Sequence, residues 1–425
     1  FPGDSLVLRT REHDAALSLG GLLKGYADLG PGHLDAVLQI SGGHRDLPGS
    51  PYRLTPDDGQ RDTHAGAVVR WAQPVGDALE LRLSAAGRDD WLTVWIAPFP
   101  STRQRDLQAD GSAELSWSTG PSTLIVRASG SRERLGVEGA PDHARSGLGL
   151  SVSDDLLFAG SRVRLTPALR WDALGPFHGI SAKLGAGLRV AGPLSFRASV
   201  GRSFRAPSFT ELYLSQGLLS PNPELVPETS VGGDVGVVLE DRRGFAAATF
   251  FAQQYQNLIV YEADSFRRFK PFNDGKAATR GLEVELASAP LGPAGLALSG
   301  AYTLLLTETL RGEEAVLGKA LPHRARHRLF ARLAAGSGPL AGHIEAHAVS
   351  EQFQDLRNSP SLRIQPALTF NAGGSFRFAQ HPDTRLALEL RNLLDDRTLQ
   401  DGFGNPLPGR MVMITVRIAG GKDAP

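Results

Sequence analysis

Few residues of this chain are spaced as catalytic or metal-ligating sets usually are. His343 and His347 stand four apart in H-I-E-A-H. On a helix that spacing would turn both imidazoles to one face and suit zinc. On a strand they share a face but lie ~13 Å apart at ~3.3 Å per residue, too far to share one ion. Asp57, Asp58 and Asp62 in P-D-D-G-Q-R-D are dense enough for a hard cation and give a calcium-loop hypothesis, against the plainer reading of a solvated turn. His323 and His327 flank Arg324 and Arg326, a basic rim that could attract an anionic ligand. The aromatic residues Trp91, Trp95, Phe99, Phe266, Phe269, Phe272 and Phe403 could stack on a planar ligand or pack loops together. A nucleophile elbow, a Walker loop, a G-x-G-x-x-G turn and an H-E-x-x-H helix are all absent from the sequence, so no enzymatic chemistry is expected. Apart from the calcium hypothesis, no cofactor is called for.

The elements that carry these residues read as strands. Leu194, Phe196, Ala198 and Val200 alternate with Ser195, Arg197, Ser199 and Gly201, the period-two mark of one apolar and one polar face. Leu34, Ala36, Leu38 and Ile40 repeat the pattern, as do Val163, Leu165, Leu169 and Trp171. So do Leu296 with Leu298, Leu386 with Leu388, and Val412, Ile414, Val416 and Ile418. No stretch has a convincing helical period. A soluble sandwich would alternate too, but here the connections alternate in length. Short turns fall at Gly30–Gly32, Pro74–Gly76, Gly120–Pro121, Ala191–Pro193, Asp241–Gly244, Gly292–Ala294 and Gly336–Pro339. Between them lie long connections at Gly43–Thr63, Asp89–Leu107, Pro207–Pro227, Glu262–Gly275, Thr309–His323, Gln354–Ser361 and Asp395–Gly409. One rim of tight turns and one of long loops describes an all-β, transmembrane antiparallel β-barrel of the bacterial outer membrane. About 20–22 strands are expected, an even number being usual for such barrels, with the first rising near Ser5–Arg11. The leucines and isoleucines should face lipid, while Arg197, Glu389, Arg391 and Arg417 should face the lumen.

Composition agrees. The 425 residues carry 45 basic and 45 acidic side chains, so there is no basic excess of the kind that binds nucleic acid. Cysteine is absent, which excludes disulfides and thiolate metal sites. No run of ~18 apolar residues occurs, so no helix is expected to cross a membrane. The opening F-P-G-D-S-L-V-L-R-T-R lacks the features of a signal peptide, which suggests a mature or trimmed start.

After the strand that ends near Arg202, the chain reads R-S-F-R-A-P-S-F-T-E-L-Y and then N-P-E-L-V-P-E-T-S. Pro207 and Pro223 cannot donate to a ladder, so this is a long ordered loop between strands. It resembles the TonB-dependent outer-membrane receptors, whose barrels carry such a pair of motifs. The matching positions are Phe204, Arg205, Ala206, Pro207, Ser208, Glu211, Leu212 and Tyr213, then Asn222, Pro223, Leu225, Pro227 and Glu228. Further pieces are Asn273, R-G-L-E-V-E at Arg280–Glu285, L-P-H-R at Leu321–Arg324, N-L-L-D-D-R at Asn392–Arg397 with Asp395 inside it, and Pro408, Gly409 and Arg410.

The resemblance implies a 22-stranded barrel over 1–419 with a short tail at 420–425. It also implies energised uptake of a scarce nutrient chelate, an iron–siderophore ahead of a corrinoid such as vitamin B12. The partners implied are outer-membrane lipid, the chelate ligand and TonB, the last acting through an N-terminal plug that this stretch of chain does not display. Two other readings stay open: a plugless porin, and an adhesin or cell-contact protein that uses only its loops. The motif residues Phe204–Glu228 and Asn392–Arg410 are expected to be structural, fixing loop exits at the rim.

Overall fold

The computed structural model describes residues 13–47, 49–50, 53–216, 219–263, 269–378, 383–401 and 407–419. The chain opens with β1 (Ala16–Leu29), β2 (Gly32–Asp46), a small hairpin of β3 (Gly49–Ser50) and β4 (Arg53–Leu54), then β5 (Gly59–Val75) and β6 (Leu79–Trp95). Next come β7 (Thr102–Thr119), β8 (Ser122–Val137), β9 (His143–Phe158), β10 (Val163–Leu174), β11 (Phe177–Ala191) and β12 (Leu194–Arg205). A short helix α1 (Phe209–Tyr213) precedes β13 (Glu228–Asp241), β14 (Gly244–Ala263), β15 (Phe269–Ser288), β16 (Ala297–Arg311), β17 (His327–Ser337) and β18 (Leu340–Val349). A second small hairpin, β19 (Gln352–Phe353) with β20 (Arg363–Ile364), leads to β21 (Ala367–Phe378), β22 (Asp383–Arg391) and β23 (Met411–Ala419).

Outside the two hairpins, 19 strands form a single sheet, an antiparallel meander in which each pairs with the next. The expected 20–22 strands included one near Ser5–Arg11, which lies outside the described residues, as do residues 420–425. The tight turns close where expected. Gly30, Gly76, Gly120, Gly192, Gly292 and Gly338 all adopt positive φ, the conformation that glycine reaches without strain.

On the opposite rim several strands run further than their composition suggests. The connections expected over Gly43–Thr63, Asp89–Leu107 and Glu262–Gly275 shrink, because β2 extends to Asp46, β5 starts at Gly59, β6 reaches Trp95, β7 starts at Thr102, β14 reaches Ala263 and β15 starts at Phe269. Ladder hydrogen bonds do not require apolar side chains. Beyond the lipid a strand can continue with either face polar, and so loses the alternation that betrays it.

The facing is clearest on β7. Leu107, Ala109, Gly111, Ala113, Leu115 and Trp117 form one side; Asp106, Gln108, Asp110, Ser112, Glu114 and Ser116 form the other. From Leu107 to Trp117 the strand rises ~33 Å at ~3.3 Å per residue. Tilted by ~35–45°, that becomes ~25 Å, the height of an outer-membrane apolar band. Register carries both faces into the neighbours: Ala113 opposes Leu83 and Ala128, and Ser112 opposes Ser84 and Ser129. Leu296, Leu298, Leu386, Leu388, Ile414 and Val416 are all exposed, and cross-strand rows such as Phe376–Leu386–Val416 keep them on the apolar side.

Candidate functional site

The polar face is identified as the inner one by what folds against it. β12 ends at Arg205, and the chain turns across the mouth of the sheet as a strap, 206–227, before β13 begins at Glu228. Proline at 207 ends the ladder, and the next four residues start a helix. Ser208 is the N-cap: its Oγ accepts from the Glu211 amide at 3.2 Å, and Glu211 Oε2 accepts from the Ser208 amide at 2.7 Å. This reciprocal capping box is written in the sequence as S-F-T-E, and the five-residue helix that follows is too short to display a helical period.

The strap is held at three points. Arg205 Nε donates to Glu228 Oε2 at 2.5 Å, and its two terminal nitrogens donate to Glu211 at 3.1 Å each. Glu228 also accepts from the Ile259 amide at 2.6 Å, so one cation joins the strap to β12, β13 and β14. Burial alone would raise the Glu211 pKa. The Arg205 guanidinium, the Ser208 amide and the Ser208 hydroxyl outweigh it and leave the carboxyl below its ordinary value.

At the second point the wall reaches inward from β9. Arg145 Nη1 donates to the Pro207 carbonyl at 2.7 Å, its guanidinium lies 4.4 Å from the Phe209 ring, and Nε is fixed by Glu133 at 2.7 Å. The His143 imidazole stacks on Tyr213 with centroids 3.7 Å apart. Nothing in the motif marks Arg145 or His143, which lie some sixty residues upstream.

The third is the N-P-E-L-V-P-E run. Asn222 Nδ2 donates to the Pro271 carbonyl at 2.8 Å while its own amide donates to the Glu211 carbonyl at 2.9 Å. Asn273 Oδ1 accepts from the Val226 amide at 2.7 Å, and its Nδ2 donates to the carbonyls of Val226 and Asn257 at 2.9 and 2.8 Å. Pro207, Phe209, Leu212, Leu214 and Leu225 are buried beneath.

The second motif group closes the last hairpin. Asn392 and Asp395 both adopt positive φ, which asparagine and aspartate tolerate better than most residues. Asn392 Oδ1 accepts from the Asp396 amide at 3.0 Å, and its Nδ2 donates to the Asp396 carbonyl at 2.8 Å. Asp395 accepts from the Arg410 amide at 2.8 Å and from Arg397 at 3.0 Å, and these two donors hold its carboxyl below the usual range. A Cβ on Gly409 would sit 2.5 Å from Asp395 Oδ1, which explains glycine between Pro408 and Arg410.

The other candidate residues do not converge. Trp91 and Trp95 belong to β6 rather than to a loop, and both share the outward face of Leu83. Trp91 lies 4.6 Å beneath the Arg105 guanidinium. Trp95 stacks on His44, over Gly59. Phe99 is on the loop after β6, whereas Phe269 and Phe272 are in β15, the latter 5.4 Å from the Lys270 ammonium. Phe266 and Phe403 lie outside the described residues. His323 sits in the connection between β16 and β17 at positive φ, its amide donating to the Phe353 carbonyl at 2.8 Å. Asp57 is exposed; Asp58 is buried and accepts from the Ala97 amide at 2.8 Å; Asp62 is on β5 beside His64 at 3.2 Å. His343 and His347 bracket Glu345 on the inner face of β18, at 3.8 and 3.5 Å, and Glu345 is also paired with Arg332 at 2.6 Å. Among the described residues no group of three or more His, Asp or Glu is disposed to hold a metal ion.

A meander with a polar inner face, an apolar outer band and long loops on one rim is a transmembrane β-barrel. The family model for the TonB-dependent receptor-like β-barrel matches residues 49–393. Solved structures with the same fold include the ferric citrate transporter FecA, 15% identical with a TM-score of 0.77 over 96% of this chain and 70% of that one. The ferric enterobactin receptor PfeA of Pseudomonas aeruginosa is 18% identical, with a TM-score of 0.73 over 94% and 69%. The copper transporter OprC is 14% identical, with a TM-score of 0.76 over 95% and 72%. No curated protein sequence matches the chain. The chain belongs to the TonB-dependent receptor family, of which it forms the β-barrel, and it is a bacterial outer-membrane protein.

Proposed function

We propose that this barrel serves TonB-energised import of a metal chelate, with an iron–siderophore favoured over a corrinoid. The observation that carries the reading is the strap. It is anchored to the inner wall through Arg145–Pro207 and His143–Tyr213, so the outer mouth has a shaped and fixed edge. Such an edge suits a mouth that must hold a bulky cargo. The wall itself makes and breaks no bonds; its polar inner face would be wetted and would leave passage to a plug. The chelate is to be captured by the outer loops together with that plug, and TonB is to act on the plug.

The test is uptake and binding by the full-length protein in cells. Saturable binding of ferric siderophore, with uptake abolished when TonB is deleted, is the expected result. Saturable corrinoid binding instead would keep the mechanism and change the cargo. Uptake that survives loss of TonB unchanged, with no saturable binding of either ligand, would replace the receptor by a passive pore.

A further inference from the structure

At the loop rim two cations face each other with no counter-ion. Lys276 and Arg311 are direct partners across the β15–β16 ladder, at the point where its register shifts. Opposed residues bring their Cβ atoms within ~5 Å, and like charges so placed are destabilising. Neither side chain has a carboxylate partner among the described residues.

Both cations line one cavity of about 540 Å³. Its walls come from the end of β14, from β15, from the end of β16 with the β16–β17 connection, and from the β18–β21 connection. Pockets for small organic ligands run ~300–1,000 Å³, so there is room for one such molecule. The charged lining comprises three cations, Lys276, Arg311 and Arg357, and two carboxylates, Glu313 and Asp355. The carboxylates are already engaged. Glu313 pairs with Arg357 at 2.9 Å, and Asp355 accepts from the Ser359 amide at 2.9 Å and its hydroxyl at 2.6 Å. What remains is the opposed pair.

Much of the other lining is apolar, with Leu258, Val260, Leu321 and Leu356 beside the rings of Tyr261 and Phe269. A Cβ on Gly275 would meet the Leu258 Cβ at 2.6 Å, so glycine leaves that leucine its place in the wall. The two connections are tied to each other. Asn358 Oδ1 accepts from the Ala320 amide and Nδ2 donates to the Ala320 carbonyl, each at 2.9 Å. The His323 amide donates to the Phe353 carbonyl at 2.8 Å. The cavity is thus shaped without help from a ligand.

We propose that this cavity binds a metal-free organic acid, an aryl carboxylate. The carboxylate bridges Lys276 and Arg311, and the aromatic body lies against Tyr261, Phe269 and Leu258. A guanidinium takes a carboxylate through two parallel hydrogen bonds and an ammonium adds a point charge. One anion shared between them removes the repulsion that the ladder otherwise carries. A carboxylate already bound to iron has given its charge to the metal and cannot do this. The site therefore reads a different species from the chelate of the uptake reading, and either can fail without the other.

The experiment is titration calorimetry of the full chain in detergent, with empty micelles as the blank. The probes are 3-hydroxy-2-naphthoate, its neutral amide, acetate and the preformed ferric complex of the acid. The acid should bind saturably, roughly tenfold or more tighter than each of the other three. The double variant Lys276→Gln, Arg311→Gln should bind acid and amide alike, while Arg103→Gln, on β7, should keep the preference. Leu356→Trp narrows the apolar part and should weaken the acid severalfold. A heat-modifiable gel shift reports folding of each variant. Hydrogen exchange supplies a second readout: the acid should slow amides around Lys276 and Arg311 in the wild type and not in the double variant. No saturable binding of the acid, an amide bound as tightly, a ferric complex bound more tightly, or a preference unchanged in the folded double variant overturns the proposal.

Discussion

Replacing Arg205 by alanine isolates the clasp of the strap. The change removes three charge-assisted hydrogen bonds, one to Glu228 and two to Glu211, and leaves two carboxylates facing each other. Hydrogen bonds to charged groups are worth ~1.5–3 kcal/mol each, but Arg205 is 45% exposed, so solvent takes over part of its role. A loss of roughly 2–3 kcal/mol in the free energy of opening the strap follows. Every 1.4 kcal/mol is tenfold, so strap amides should exchange with deuterium roughly 30- to 150-fold faster. The reporters are the amides of Leu212, Leu214 and Asn222, which donate to Ser208, Thr210 and Glu211. Ladder amides of β6 and β7 should keep their wild-type rates, because their pairing does not pass through Arg205. Strap amides that stay within threefold of wild type would refute the clasp. Equal acceleration in strap and ladder would show instead that the variant destabilises the whole wall.

The lipid face gives a depth test. Leu150, opposite Ala128 near the middle of the band, should cost ~2–4 kcal/mol when changed to arginine. Leu298, the second residue of β16 and close to the tight-turn rim, should cost only ~0–1 kcal/mol; denaturant unfolding in vesicles measures both. Gly409→Ala would place a Cβ 2.5 Å from Asp395 Oδ1 and should loosen the last hairpin by ~1–3 kcal/mol, seen as faster proteolytic nicking between Asn392 and Arg410. Glu211, Asp395 and, in the β18–β21 connection, Asp355 have depressed folded-state pKa values. Their stabilisation is complete above the ordinary carboxylate range and is lost as pH falls through the depressed values. Loop protection from proteolysis or exchange should therefore drop in acid and remain flat from neutral to mildly alkaline pH.

The wall was legible because lipid imposes a rule on every second residue. Leu386 and Leu388 against Glu389 and Arg391 could be assigned to faces from sequence with no knowledge of their neighbours. Above the band that rule lapses. Trp91, Trp95, Phe269 and Phe272 read as loop aromatics, yet they lie on strands whose faces are polar or aromatic on both sides. The motif residues were legible in the sequence, and Asn273 and Glu228 among them make hydrogen bonds between segments. Their partners were not. Arg145 and His143 are an ordinary strand cation and an ordinary strand imidazole until the strap folds back against β9 and uses them. A contact across some sixty residues leaves no local pattern, whereas the Ser208–Glu211 capping box does and is readable.

The distribution of buried side chains argues that strap and wall are separately stabilised. A hollow barrel has no interior to pack: its outer face is covered by lipid and its inner face by water or other polar groups. Of the eleven buried hydrophobic side chains among the described residues, Phe209, Leu212, Leu214 and Leu225 belong to the strap. The wall is held by its ladders, while the strap has a small core of its own, capped by one ion cluster and tied by Asn222 and Asn273. Cooperative units of this kind open at free energies well below that of the whole fold. Opening of the strap is therefore separable from opening of the nineteen-stranded sheet, and its amide exchange should report on its own contacts alone.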